Sequence, residues 1–406
     1  IKRLITWGSI VIVLVLAFLG ILKLGMRYSG EILFQLVKRE TNGYYQFSFE
    51  EIDIDLWNST IKLEKVLLKP DSAKDFRTKG LNNLYDLELA GLHIDLESIT
   101  SIYIDRQLAI RNVRIIDPQI QITREQHAPN ESFSLQTGNL YHEISAYLKV
   151  LRIDLFSIEN GELAHSPSEL GLGNIDFSVS NLLIDAASRP DQNFYSESIE
   201  LEIHNQSFIM NDSIHLLSFD RLLLSTADSV LTFENLVLKP ITEAHGAFDR
   251  LGDKIVYDIT IPKLRLKGVD YFSAYRNNYL VMEELSLTDS DIFIEEQTHA
   301  KIDQPESNGN SLIKQFFQIF DEVKIRKMRF INTNLDITTN DDYYHKYQHV
   351  KSERADIVLY KVLIDSSNYH FDHREKYFDD VDIIIKDYSP YLPDSIHTIN
   401  FDLLQL

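Results

Sequence analysis

The feature that most constrains this chain is that it repeats itself. Residues 212–224 read DSIHLLSFDRLLL and residues 394–406 read DSIHTINFDLLQL, with eight of thirteen positions identical at a spacing of 394 − 212 = 182. IRNVRIIDPQIQIT at 110–123 aligns without gaps to MEELSLTDSDIFIE at 282–295, an offset of 172, and also to IRKMRFINTNLDIT at 325–338. IKLEKVLLKP at 61–70 matches LTFENLVLKP at 231–240 at an offset of 170, and LLID at 182–185 matches VLID at 362–365 at an offset of 180. A period of this length means that one large supersecondary unit is used more than once. The expected organisation is a first unit at 44–211, a second at 212–393 and the start of a third at 394–406, which implies a longer natural polypeptide.

A shorter pattern runs through both units: apolar, any, apolar, any, any, apolar, any, apolar. It begins at Phe47, Ile61, Leu87, Leu108, Leu151 and Phe177, and in the second unit at Leu217, Leu231, Ile259, Leu280, Val323 and Ile357, with a further start at Ile399. Each half alternates as a strand does, and the central spacing of three flips the alternation. Either a one-residue bulge returns all four side chains to one face, or the strand twists from one apolar environment to another. Turn chemistry marks hairpins at Trp57-Asn58-Ser59, at Asp117-Pro118 and at Asn160-Gly161, a type I′ pair. The fold class expected is mainly β, about nine mostly antiparallel strands per unit in a long twisted sheet or groove.

One amphipathic helix interrupts each unit at the same place. Leu140, Ile144, Tyr147 and Leu148 share a face in the first, and Leu312, Phe316, Ile319 and Phe320 in the second, where Ile313 and Phe317 widen the stripe. Such a helix lies on the sheet as core or edges an apolar groove.

From Leu4 to Leu22 there is no charged residue, a length that crosses a hydrocarbon core of roughly 30 Å as a helix. The run is long for a cleaved signal, no small-x-small site follows and Lys23 comes next, so residues 1–23 read as an uncleaved anchor with Leu4, Trp7, Val11, Val15, Phe18 and Leu22 along it. A helical pattern at 24–43 ends at Asn42-Gly43 as a C-cap does, and reads as a stalk.

The chemistry sought in the rest of the chain is largely missing. Sixty-one acidic against forty basic residues give a net charge of −21, which repels phosphate backbones and excludes nucleic acid as partner. There is no cysteine, hence no disulfide and no thiolate chemistry. No nucleophile-elbow, zincin or phosphate-loop motif is present, and the Ser311–Lys314 SxxK match opens a helix, where Ser311 serves as N-cap. His345, His349, His370 and His373 with Asp372 could approach one another, but spacing alone does not make a metal site. His215 and His397, like Asp185 and Asp365, recur at equivalent places and so serve turn geometry. No catalytic residue, metal or cofactor is expected.

The anchor, the stalk ending in TNG, the hairpin FSFEEIDIDLWNSTIKLEKVLLKP and the strand-turn-strand IRNVRIIDPQIQIT together resemble the N-terminal part of AsmA-like proteins. These are inner-membrane-anchored periplasmic proteins of Gram-negative bacteria related to bridge-like lipid transfer proteins built of repeating β-grooves. The resemblance implies a bacterial inner-membrane location with the C-terminal region in the periplasm, phospholipid as cargo, and outer-membrane or envelope proteins as partners. It supplies no catalytic residues. It implies a trough lined in the first unit by Phe47, Phe49, Leu87, Leu89, Ile110, Val113, Phe177 and Val179. In the second the lining would be Phe219, Ile259, Ile261, Met282, Leu285, Ile357 and Leu359, with Leu312, Phe316, Phe317 and Phe320 as the groove-edge helix. Two strand layers packed as a filled sandwich would show the same alternation.

Overall fold

The structure is a computed structural model that describes residues 43–55, 57–71, 83–98, 105–124, 148–166, 170–188, 193–210, 212–241, 255–298, 320–341, 346–365, 379–388 and 401–405, with residues 34, 37, 38, 41, 141 and 145. The anchor residues, Leu140, Ile144 and Tyr147 of the first expected helix, Leu312, Ile313, Phe316, Phe317 and Ile319 of the second, and the phrase at 394–400 lie outside the described residues. Among the described residues no helix is long and apolar enough to cross a membrane.

The described chain is mainly β. Its first strands are β1 (Tyr45–Ser48), β2 (Glu51–Asp55), β3 (Thr60–Pro70), β4 (Asn83–Leu96), β5 (Gln107–Ile116), β6 (Gln119–Arg124), β7 (Val150–Ser166), β8 (Leu170–Ile184) and β9 (Ser198–Ile209). Then follow β10 (His215–Ser225), β11 (Val230–Pro240), β12 (Ile255–Lys267), a short helix α1 (Tyr271–Arg276), β13 (Tyr279–Thr288), β14 (Asp291–Thr298), β15 (Glu322–Asp341), β16 (Lys346–Asp365), β17 (Asp380–Tyr388) and β18 (Phe401–Gln405). All twelve pattern starts from Phe47 to Ile357 fall inside a strand. Two compact units divide the chain at Ile203/His204, within β9.

Both units follow one plan. In the first, β1 and β2 lie end to end along β3, β3 pairs with β4, and β5 and β6 lie end to end along β4. In the second, β10, β11 and β12 pair in turn, and β13 and β14 share β12 in the same way. The described strand pairs are mostly antiparallel, as expected, with parallel pairs among them. β5 and β6 run parallel to β7, and β13 and β14 parallel to β15. In both parallel pairs the register offset is 43, as in Gln107↔Val150 and Tyr279↔Glu322. The similarity of 282–295 to 325–338 is therefore a likeness between β13 and β14 and the strand β15 that lies alongside both, residue against residue.

At four of the twelve pattern starts the spacing of three coincides with a left-handed residue, and the strand register runs through it unshifted. Lys65 (φ 50°), Asn181 (φ 52°), Asn235 (φ 52°) and Lys361 (φ 52°) each occupy the second of the two central positions in left-handed backbone. That single residue restores the phase, so Leu63 and Val66, or Val179 and Leu182, face the same way. Three of the left-handed residues, Lys65, Asp117 and Asn160, share one transverse row. Lys65, Ala90, Asp117 and Asn160 stand level across β3, β4, the β5–β6 join and β7. A second row runs through Asn181, Asp154 and Arg111, and there the β4–β5 register shifts by one and Arg111 Nη2 donates to the Leu96 carbonyl at 2.9 Å.

The repeat recurs in these dihedrals. Ser59 and Ser229, Lys65 and Asn235, Arg106 and Asn278, Asp117 and Asp289, Asn160 and Asn332, Asn174 and Arg354, and Asn181 and Lys361 all have positive φ. Their separations of 170, 172 and 180 are those of the sequence repeat, as in 229 − 59, 289 − 117 and 361 − 181. Each such residue costs about 1–2 kcal/mol, least for Asn and Asp, and bonds across the row offset it. Asn160 Nδ2 donates to Asp117 Oδ1 at 2.8 Å, and its N–H to Asp176 Oδ1 at 2.9 Å. Asn332 repeats both bonds, to Asp289 at 2.5 Å and to Asp356 at 2.8 Å.

Two expected turns are thereby corrected. Asp117-Pro118 is a jog between collinear strands and Asn160-Gly161 a bend inside β7. A type I′ turn needs two successive positive-φ residues, and at each site only the first residue has one. Trp57–Ser59 does form the hairpin turn expected of it. Gly43 (φ 71°) follows the helical residues Val37 and Lys38 as a C-cap does, its N–H bonding the Lys38 carbonyl at 2.6 Å.

Candidate functional site

The candidate site is the apolar face on which the pattern residues gather. In the first unit it is closed by its own side chains. Phe47, Leu87, Leu89, Ile110, Val113 and Val179 are buried to 8% exposure or less in one cluster with Val37 and Leu148, and Phe49 and Phe177 pack against it. Val66, Leu96 and Leu108 are at 0% exposure, as in an ordinary core.

The second unit is looser. Its buried cluster is Leu266, Val269, Ala274, Leu280, Met282, Val323, Ile325 and Val362, gathered where α1 lies against β13. Asp270 caps α1, accepting from the Ser273 N–H at 2.9 Å. Gly268 (φ 66°) admits this approach, since a Cβ there would stand 2.8 Å from Glu283 Cβ. Leu285 and Leu359 are half-buried against the cluster, as is Phe320, the one described residue of the expected edge helix. Ile259 and Ile357 are half-buried, like Phe233, Phe330, Ile383 and Ile385, while Phe219 and Ile261 are buried.

Three hydroxyls interrupt this face. Ser290 and Thr333 are at 0% exposure and Ser352 at 4%, and their side-chain oxygens have no hydrogen-bond partner. The first-unit equivalents at offsets of 172 and 180 are Pro118, Gly161 and Leu172, so the hydroxyls belong to the second copy. Sequence reasoning missed them because isolated Ser and Thr in strands carry no distinctive signal.

The histidine of the repeated phrase is structural. His215 is 1% exposed, its Nδ1 is 2.6 Å from Asp212 Oδ2, and its Nε2 accepts from the Tyr257 N–H at 3.0 Å. That acceptor role assigns the proton to Nδ1, which donates to the carboxylate. Asp212 also receives the N–H groups of Ile214 at 2.9 Å and His215 at 3.0 Å. Burial works to raise the Asp212 carboxyl, but the bonds from His215 and Ile214 outweigh it and hold the group below its ordinary value. In the first unit the same station is taken by Tyr45, whose hydroxyl accepts from the Tyr85 N–H at 3.2 Å. Position 215 = 45 + 170 thus locks a strand start in both copies.

Other candidates do not converge. His349 meets Asp336 at 2.8 Å, while His345, His370, Asp372 and His373 lie outside the described residues. Among the described residues no group of His, Asp and Glu could hold a metal. Ser311 and Lys314 also lie outside them. A depression of about 460 Å³ on the polar face of the first unit is lined by Lys69, Asp86, Glu88, Gln119, Gln121 and Glu162 among others, and by none of the trough candidates.

No family model and no curated protein matches the chain. Among solved structures, the sex pheromone staph-cAM373 precursor aligns over 80% of this chain and 84% of its own at 9% identity, with a TM-score of 0.10. An overlap that small speaks to neither fold nor function.

Proposed function

We propose that the protein is a membrane-tethered lipid carrier of the bacterial envelope, anchored in the inner membrane through residues 1–23 and holding phospholipid acyl chains against its apolar sheet face in the periplasm. One observation carries the reading: in the second unit β11, β12, β13 and β16 carry Phe233, Ile259, Leu285, Ile357 and Leu359, apolar residues of the pattern that stay only partly buried. Each methylene placed against such a face is worth about 0.8 kcal/mol, so a few turns of acyl chain repay the ordering of a lipid. Lipid extraction and native mass spectrometry of the purified full chain test it. Phospholipid should co-purify, and Leu359→Asp should lower its occupancy. A chain that purifies free of lipid overturns the proposal.

A second reading, an envelope assembly or scaffold protein whose sheet edge pairs with a partner chain, draws on a different observation. Six of the first unit's eight candidate residues are buried among their own neighbours, so that unit offers less apolar surface to cargo than the second. A stoichiometric protein partner in pull-downs, together with a lipid-free chain, selects that reading over the first.

A further inference from the structure

Trp57 is the most exposed large hydrophobic among the described residues, at 98%. It is held in that position. Asp55 accepts the N–H groups of Trp57 at 2.9 Å and Asn58 at 3.1 Å through Oδ1, and its Oδ2 accepts Asn58 Nδ2 at 2.5 Å. Three bonded residues therefore fix the backbone that carries the indole, so binding has only the side chain left to order.

The repeat supplies a control within the chain. At offset 170 the equivalent of Trp57 is Ala227, and the turn there is closed by Ser225 and Asp228, whose side chains are 3.2 Å apart. The same hairpin thus forms without an aromatic residue, so folding does not explain Trp57. An indole, apolar in body with one N–H donor, is the side chain most at home at the boundary between lipid headgroups and acyl chains.

The surroundings limit which surface it meets. The Ser59 carbonyl accepts the Leu96 N–H, and the Arg106 carbonyl accepts the Lys149 N–H, so this end of the unit carries Arg106 and Lys149 beside Asp55, Glu97 and Asp105. Charges of both signs gain nothing from an anionic surface, which favours contact through the indole itself. The uncharged run ending at Leu22 precedes the core residue Val37 by 37 − 22 = 15 residues, a reach of at most about 50 Å even fully extended. A bilayer holding that run lies within that reach of the first unit, which the chain enters at Tyr45↔Pro70, the far end of β3 from the Trp57 turn, so the tip meets it when β3 lies along the bilayer surface.

We propose that the Trp57 hairpin tip inserts its indole into the headgroup interface of the bilayer that anchors the chain, fixing the orientation of the first unit on the membrane. The proposal rests on the tether reading. Trp7 and Trp57 are the chain's two tryptophans, so in the full chain carrying Trp7→Phe all indole emission reports Trp57. That protein is reconstituted into phosphatidylcholine vesicles, with and without bromine on the upper acyl carbons, and vesicle flotation is scored beside fluorescence. The expected result is a floating protein with blue-shifted emission, loss of intensity on brominated lipid, and protection from aqueous iodide. A floating protein whose emission is that of hydrated indole and open to iodide overturns the proposal and leaves the tether standing. Blue-shifted emission indifferent to bromine places the indole against protein and overturns it too. A protein that does not float overturns both readings.

Discussion

Replacing Asn332 tests whether a left-handed residue builds the bend in β15. Its φ of 51° is open to Asn at small cost, whereas a β-branched residue in that region is a steric outlier, so Asn332→Val carries about 1–2 kcal/mol of backbone strain. The same change removes the side-chain bond to Asp289, 2.5 Å long. Hydrogen bonds to charged groups contribute about 1.5–3 kcal/mol, and exposure of both partners reduces this to roughly 1 kcal/mol. The valine variant should therefore lose about 2–3 kcal/mol. Asn332→Gly loses the bond but relieves the dihedral, and should stay within about 1 kcal/mol of the parent. Urea unfolding followed by circular dichroism separates them, with a midpoint roughly 1 M lower for valine at a slope of about 2–3 kcal/mol/M. Asn160→Val, its counterpart 172 residues earlier, should behave alike. Equal stability of the valine and glycine variants would refute the argument, because the dihedral would then not be what holds the bend.

Two further outcomes follow from the buried polar groups. The Asp212 carboxyl is depressed in the folded state, so its contribution is present above the ordinary value of about 4 and is lost as pH falls through the folded value; Asp212→Asn should flatten the acid limb of a plot of unfolding midpoint against pH. Thr333→Val keeps the shape while deleting a hydroxyl that has no partner at 0% exposure, and should raise the thermal midpoint by the equivalent of about 1 kcal/mol.

Much of the strand plan is legible in the chain because it is written in local terms. The apolar pattern starting at Ile61 or Leu231 places four side chains along a strand, and its misplaced central step is the mark of Lys65 or Asn235 in left-handed backbone. The phrase DSIH is legible as a recurrent joint, although its chemistry, an Asp-locked imidazole taking the Tyr257 N–H, needs partners 42 residues apart. Turn propensity misled at Asn160-Gly161 because Asn favours positive φ equally in a hairpin and in a bulge. Nothing within a few residues distinguishes the two; the carboxylates of Asp117 and Asp176 on neighbouring strands do.

The candidate face was legible as a face and not as a cavity. Phe47 and Ile259 obey the same alternation, yet Phe47 is sealed and Ile259 half-exposed. What the amino-acid order determined by itself is the repeat, the strands and the residues that share a side, since periodicity and dihedral preference act over a few residues. Tertiary structure alone decided that neighbouring strands run parallel at an offset of 43, that three of the bends align into one row, and that one copy closes its face more fully than the other. Those are properties of side chains meeting across strands far apart in the chain, and burial depends on which neighbours arrive.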